Sequence, residues 1–259
     1  MQITNNWWMD LFDHIYLLTD ARSVCDTELT SREVMFLEET LDLDKSASIL
    51  DLCGGQGRHS LELSRSGFSD VTVLDYSKYL LDQGKRVAQQ EQLNTKFIQG
   101  DARNTGLIDQ SFHAIIIMAG SFGYFMDEHE NVKILEEVFR LLKLHGILCL
   151  DLPDRSYVIK NFKPISCHKA NNDITVKRER ELGDDIIFTR EVVTSKEKGC
   201  IRDKNYCVRL YSPERISNLM YAAGFSSITC QKDFMSRKDK EDYGCMNNRM
   251  VVKATKMVN

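Results

Sequence analysis

Along the chain, apolar runs of strand length alternate with segments whose apolar positions recur every three or four residues. The first run, Ser48-Ile49-Leu50-Asp51-Leu52, ends in Cys53-Gly54-Gly55-Gln56-Gly57 and passes into a helical pattern that closes at Gly67. A short apolar run ending in glycines reads as a buried parallel strand that feeds a crossover helix. Val71-Thr72-Val73-Leu74-Asp75 is the second run, and Ser77 is placed to cap the helix after it. Lys96 to Gln99 is a short third strand. Ala114 to Met118 is the most apolar and therefore the most central, and Ile147 to Leu152 is the fifth. This alternation predicts an α/β fold with a doubly wound parallel sheet.

The flanks have a different texture. In residues 1–44 the positions Trp7, Trp8, Leu11, Phe12, Ile15 and Tyr16 recur at helical spacing, as do Val34, Leu37 and Leu41, and Thr30 or Ser31 is placed to cap the second helix. The segment reads as an N-terminal helical cap whose aromatic stripe either packs on the main domain or walls a pocket. Tyr16 and His14, each polar on an otherwise apolar helix, are the candidates for that wall. Residues 45–259 form one domain. Within it, residues 164–211 are β-rich and broken by Asn171-Asn172-Asp173, Gly183-Asp184 and Lys198-Gly199 turns, the pattern of inserted antiparallel β hairpins. Lys177-Arg178-Glu179-Arg180 reads as a solvated strand face. Ser212-Pro213-Glu214 starts a further helix, and two last strands follow, Ile228 to Phe234 and Arg249 to Ala254.

The glycine loop after the first strand presents backbone N–H groups and a helix N-terminus to whatever lies above the sheet. An acid about twenty positions on, at the tip of the neighbouring strand, is placed to accept hydrogen bonds from ribose hydroxyls. Asp51, the Gly54 to Gly57 loop and Asp75 thus describe a nucleoside pocket. A dinucleotide fingerprint needs a third glycine, and Ser60 stands there instead. An acid just ahead of the glycines also suits a positively charged ligand better than a pyrophosphate. S-adenosylmethionine is such a ligand, with a sulfonium and an ammonium.

Asp51-Leu52-Cys53-Gly54-Gly55-Gln56-Gly57 resembles motif I of the class I S-adenosylmethionine-dependent methyltransferases, and Asp75-Tyr76-Ser77 resembles their motif II. Gly100-Asp101-Ala102 is similar to the acidic turn after their third strand, and Met118-Ala119-Gly120-Ser121-Phe122-Gly123-Tyr124-Phe125 to their motif IV region. Leu142-Lys143-Leu144-His145-Gly146 is similar to the turn into their fifth strand. Cys53 departs from the pattern at its first glycine, and His145 replaces the usual Pro-Gly. The chain as a whole resembles a bacterial group that methylates small molecules. The resemblance implies a seven-stranded Rossmann-like sheet with its last strand antiparallel, and N-terminal helices lying over S-adenosylmethionine. It implies a cofactor set of Asp51, Cys53, Gly54, Gly55, Gly57, Asp75, Tyr76, Ser77, Gly100, Asp101, Ala102, Met118 and Ala119. Asp101 would accept the adenine amino hydrogens, or merely cap its own turn.

Methyl transfer to a small-molecule acceptor needs a base only when the acceptor nitrogen or oxygen (or a carbon) arrives protonated. Tyr124 and His129 are the candidate catalytic residues by position, although His129 equally fits an exposed helix N-terminus. Arg155, Arg209 and Arg249 are candidate grips for a substrate carboxylate or else surface residues, and Tyr157, Tyr206 and Tyr211 complete the candidate acceptor site. The hairpins would serve either as a lid or in pairing two subunits of a homodimer. An RNA or protein acceptor is the alternative, although the absence of a Pro-Pro-Tyr type motif after the fourth strand favours acceptors other than flat base or amide nitrogens; an NAD(P)-dependent oxidoreductase and a catalytically silent cofactor-binding protein are rivals of another class. A net charge of -4 disfavours nucleic acid as a general partner. The 8 cysteines include no C-x-x-C pair, so free thiols in a reducing cytoplasm are expected and a metal is not. No run is long enough to span a membrane, and the N-terminus lacks a signal-peptide pattern.

Overall fold

A computed structural model describes residues 1–236 and 243–257. Four helices precede the first strand: α1 (Trp8–Leu11), α2 (His14–Thr19), α3 (Ala21–Val24) and α4 (Thr27–Leu41). The aromatic stripe is therefore broken into short helices. Asp13 accepts the amides of Ile15 at 2.8 Å and Tyr16 at 3.2 Å, and so starts a new helix within the stripe. The cap of α4 is Asp26, which accepts the Leu29 amide at 2.9 Å; Thr30, expected there, instead donates its hydroxyl to the Asp26 carbonyl.

The α/β body follows as β1 (Ser48–Leu52), α5 (Arg58–Arg65), β2 (Asp70–Asp75), α6 (Lys78–Gln90), β3 (Lys96–Gln99), β4 (Phe112–Ile117), α7 (Glu128–Leu141), β5 (Leu142–Pro153) and α8 (Arg155–Lys160). Four strands then run as β6 (Ile165–Lys169), β7 (Ile174–Leu182), β8 (Ile186–Ser195) and β9 (Gly199–Arg209). The chain closes with α9 (Pro213–Ala222), β10 (Phe225–Phe234), a 3-10 turn at Gly244–Met246 and β11 (Arg249–Lys256). The main sheet has seven strands in the order β10-β11-β5-β4-β1-β2-β3, and β11 runs antiparallel to both its neighbours. The most apolar run, β4, is the middle strand, since only a strand covered on both faces can bury every residue of Ala114-Ile115-Ile116-Ile117.

Side-chain alternation divides the core between the two faces. Leu50, Leu52, Ile115, Ile117, Leu148 and Leu150 pack with residues of α7 and α9. Ile49, Ala114, Ile116 and Cys149 pack with Val34, Leu37 and Leu41 of α4 and Leu63 of α5. The helix α4 is thus a layer of the α/β sandwich, and only the residues before it lie as a cover. The second sheet, β6-β7-β8-β9, is an antiparallel meander. Its inner face packs on the N-terminal segment, with Ile15 against Ile174, Val176 and Val193, and Trp7, Trp8 and Leu11 around Cys207. The period of two that buries Ile174 and Val176 buries Arg178 too, so this residue does not lie on a solvated face. Among the described residues, no helix is long and apolar enough to cross a membrane.

Candidate active site

The loop after β1 is shaped by residues that tolerate left-handed backbone. Cys53 has φ 60°, Gly55 59° and Gly57 72°. Cys53 therefore adopts a conformation natural to glycine, in the place where the resembled motif has one. A Cβ on Gly54 would lie 2.6 Å from the Asp51 carboxyl carbon, so the missing side chain is what lets that carboxylate tuck beneath the loop. Asp51 is fully buried. Ser60 Oγ donates to its Oδ2 at 2.9 Å, while Oδ1 has no partner. Burial pushes its carboxyl up to about 7, against the lowering pull of the Ser60 hydrogen bond. At the tip of β2, Asp75 accepts the Gly55 amide through Oδ2 and the Ser77 amide through Oδ1, each at 2.8 Å.

Above this loop lies a cavity of about 730 Å³, open in part to solvent. Its floor is Asp51, Cys53, Gly54 and Gly55, its sides are Asp75, Tyr76, Met118 and Ala119, and its roof is Trp8, Phe12 and Tyr16. A side pocket of about 430 Å³ continues from Asp75 and Tyr76 to Gly100, Asp101 and Ala102. A buried carboxylate oxygen without a partner, a loop held open by glycines and an acid at the strand tip fit a cationic nucleoside such as S-adenosylmethionine.

A second cavity of about 960 Å³ adjoins the first. Phe12, Tyr16, Val24, Ala119 and Tyr124 line both, so they form the partition between them. Its far wall is the second sheet, with Ile187, Thr189, Tyr206 and Val208, and buried charge that is internally matched. Arg178 donates to Glu191 and Asp20 at 2.8 Å, and Arg202 pairs with Glu191 and Asp13. These pairs pin α2 and its flanks to the second sheet. In the partition, burial pushes the hydroxyls of Tyr16 and Tyr124 well above the ordinary tyrosine range.

Three comparisons bear on this architecture. A family model described as a methyltransferase domain matches residues 49–146. The glycine/sarcosine N-methyltransferase of Aphanothece halophytica is 27% identical over 215 residues, which cover 82% of this chain and 79% of that protein. An S-adenosylmethionine-dependent methyltransferase from Clostridium acetobutylicum superposes with a TM-score of 0.74 at 19% identity, covering 95% of this chain and 97% of the other. Residues 49–146 are a methyltransferase domain, and the chain has the fold of S-adenosylmethionine-dependent methyltransferases. An S-adenosylmethionine-bound amino pentose methyltransferase from Micromonospora echinaspora shares the fold as well, with a TM-score of 0.68 at 15% identity over 96% of this chain and 99% of the other. Both of these neighbours use or hold S-adenosylmethionine, and the cavity above the glycine loop fits that cofactor.

Several expected site residues of the methyltransferase stand elsewhere. His129 is exposed in the first turn of α7, its amide capped by Asp127, and lines neither cavity. His14 is exposed at the start of α2. Gly57 faces the sheet, where a Cβ would meet Val73 Cγ2 at 2.9 Å, and Ser77 is spent as the cap of α6 while donating its hydroxyl to the Phe12 carbonyl. Arg155 donates to Asp185 and to the Asp184 carbonyl, Tyr157 sits beside it on α8, and neither lines either of these two cavities. Arg209 reaches the Met126 carbonyl, where it ties down the loop before α7. Tyr211 packs in the core against Phe122, at 5.5 Å between rings. Tyr16, Tyr124 and Tyr206 are the expected acceptor-side residues that the fold brings together.

Beneath the cavities runs a buried ionic chain that the sequence did not disclose. Arg249 pairs with both Asp151 and Glu33, Glu33 also takes Arg58 and His59, and Asp151 accepts the Ala119 amide at 2.8 Å. Arg249 is thus a core residue and not a substrate grip. Burial pulls His59 down to about 4, so its ring is neutral beside Glu33.

Proposed function

We propose that this methyltransferase methylates the nitrogen of a small polar amine held in the second cavity. The observation that carries this reading is the partition: the two groups best placed between cofactor and acceptor are Tyr16 and Tyr124, and burial holds both protonated. Protonated phenols can hydrogen-bond an acceptor but are poor bases for stripping an alcohol, whereas a neutral amine already carries its nucleophilic lone pair. One relative is a glycine/sarcosine N-methyltransferase, which supports a nitrogen acceptor.

On the cofactor side, Asp75 receives the ribose hydroxyls, Asp101 the adenine amino group and Asp51 the ammonium, with Cys53, Gly54, Gly55, Tyr76, Gly100, Ala102, Met118 and Ala119 as the walls. The cofactor supplies an electrophilic methyl group on a sulfonium, whose leaving thioether takes no proton. Trp8, Phe12 and Tyr16 exclude water from that reaction centre, and the second sheet, with Tyr206, encloses the acceptor.

Incubation with methyl-labelled S-adenosylmethionine and separate panels of primary amines, phenols and alcohols, RNA and protein tests this reading. Label is expected in the amine panel; label confined to hydroxyl compounds or macromolecules would reject it.

A further inference from the structure

Ala119 stands just past the end of β4 and lines both cavities. Its φ is 59° and that of Gly120 is 67°, two left-handed residues in succession at the partition. Glycine takes that conformation freely. Alanine does not, and it has no polar side chain with which to bond its own backbone there. Within the turn the Ser121 amide reaches the Met118 carbonyl only at 3.3 Å. The firmer hold comes from the neighbouring strand, where Asp151 Oδ2 accepts the Ala119 amide at 2.8 Å.

Asp151 is fully buried on β5, two places beyond Cys149 and therefore on the same face, toward α4. Arg249 reaches it from β11, two places before Val251 of the same cluster. Its Nη1 pairs with Oδ2, the very oxygen that holds the Ala119 amide, and its Nη2 pairs with Glu33 of α4. The guanidinium also lies 4.9 Å from the centre of the Phe234 ring. Contacts from β5, α4 and β10 thus leave it a single position. Burial pushes the Asp151 carboxyl up to about 6, and Arg249 pulls against that rise. A charged acceptor holds an amide more strongly than a neutral one, so the grip on Ala119 draws on Arg249 for both its charge and its placement.

We propose that Arg249 is a positioning residue for methyl transfer: acting through Asp151, it fixes the left-handed Ala119 backbone at the partition and so aligns the methyl group with the acceptor atom. The inference rests on the placement of cofactor and acceptor in the first and second cavities proposed above. Arg249 lines neither cavity, so it acts only through that contact. In-line displacement tolerates little error, and a misplacement of about 1 Å costs on the order of 100-fold in rate.

Arg249→Lys and Asp151→Asn test it, with the compound that takes label fastest in the panels above as acceptor. Lysine keeps the charge but cannot fork between Asp151 and Glu33, whereas asparagine keeps the shape and an acceptor oxygen without the charge. Turnover at saturation should fall on the order of 10- to 100-fold in each, while the acceptor's KM and the calorimetric affinity for S-adenosylhomocysteine change by less than about threefold. Should one variant not fold, the other decides. Adding Ala119→Gly to Asp151→Asn should restore turnover by at least about threefold, since glycine holds a left-handed φ without a clamp. In the cofactor-free protein, hydrogen exchange at the Ala119 amide should quicken on the order of tenfold in both variants, with the amides of Ile115, Ile116 and Ile117 unchanged. Wild-type turnover in a folded variant, a loss carried by KM and affinity, or a glycine that restores nothing would leave Arg249 purely structural and overturn the inference. Failure of every panel compound to take label would instead reject the proposed function, and amide exchange would then decide the clamp.

Discussion

The amide of Gly55 donates to the carboxylate of Asp75 at 2.8 Å, so the acid expected to serve ribose also holds the glycine loop in shape. Asp75→Ala should therefore do two things. It should weaken S-adenosylhomocysteine by roughly 2–3 kcal/mol, from lost charge-assisted bonds. It should also lower the stability of the cofactor-free protein by about 1 kcal/mol, because the Gly55 and Ser77 amides lose their acceptor. Calorimetry and thermal melts of the free protein read the two effects separately.

The cavity above the glycine loop was legible in the sequence because its walls are local. One strand, one turn and the tip of the next strand bring Asp51, Gly54, Gly55 and Asp75 together, and the central place of β4 follows from its apolar content. The ionic chain was not legible, for Arg249 meets Glu33 across 216 positions and no periodicity announces such a pair. Arg178 and Arg209 are different cases. Alternation along β7 puts Arg178 on the same face as Ile174 and Val176, and alternation along β9 sets Arg209 apart from Tyr206 and Val208, so strand parity applied residue by residue carries the signal.

Gly84 illustrates a constraint invisible from propensity alone. It lies on the buried face of α6, where a Cβ would approach the Gln56 carbonyl oxygen and Phe97 Cε1 to 2.4 Å each. Alanine at this position favours a helix in isolation. Here it pushes against the backbone of the cofactor loop, and Gly84→Ala should cost about 1–3 kcal/mol of stability and weaken cofactor binding as the loop shifts. Chemical denaturation together with calorimetry checks both.

Asp51 carries a pH dependence whose sign follows from its burial. Its carboxyl is raised to about 7 in the folded protein, so between the ordinary carboxylate range and about 7 the folded state holds a proton that the unfolded chain has released. The contribution of this group to stability is therefore greatest at low pH and is lost as pH rises toward about 7. Cofactor binding runs the other way. An ammonium prefers the ionised carboxylate, so affinity for S-adenosylhomocysteine should rise by up to about tenfold per pH unit below 7 and level off above it. Binding near pH 6.5 should release a proton, seen as a dependence of the binding heat on buffer ionisation, and Asp51→Asn should abolish both the slope and the release.

Two tyrosines that look alike in sequence should separate in experiment. Tyr206 lines the second cavity, the one proposed for the acceptor, beside Arg178 and Glu191, whereas Tyr211 is buried in the core with a hydroxyl that has no partner among the described residues. In Tyr206→Phe the acceptor loses a polar contact, and its KM should rise about 5- to 10-fold with cofactor affinity unchanged. In Tyr211→Phe the only loss is an unsatisfied buried hydroxyl, whose removal relieves a desolvation penalty. Stability should then be unchanged or higher by about 1 kcal/mol, with turnover and KM as in the wild type. A Tyr211→Phe variant with impaired kinetics and normal stability would place that residue at the acceptor after all, and would require the second cavity to extend through Phe122 toward β9.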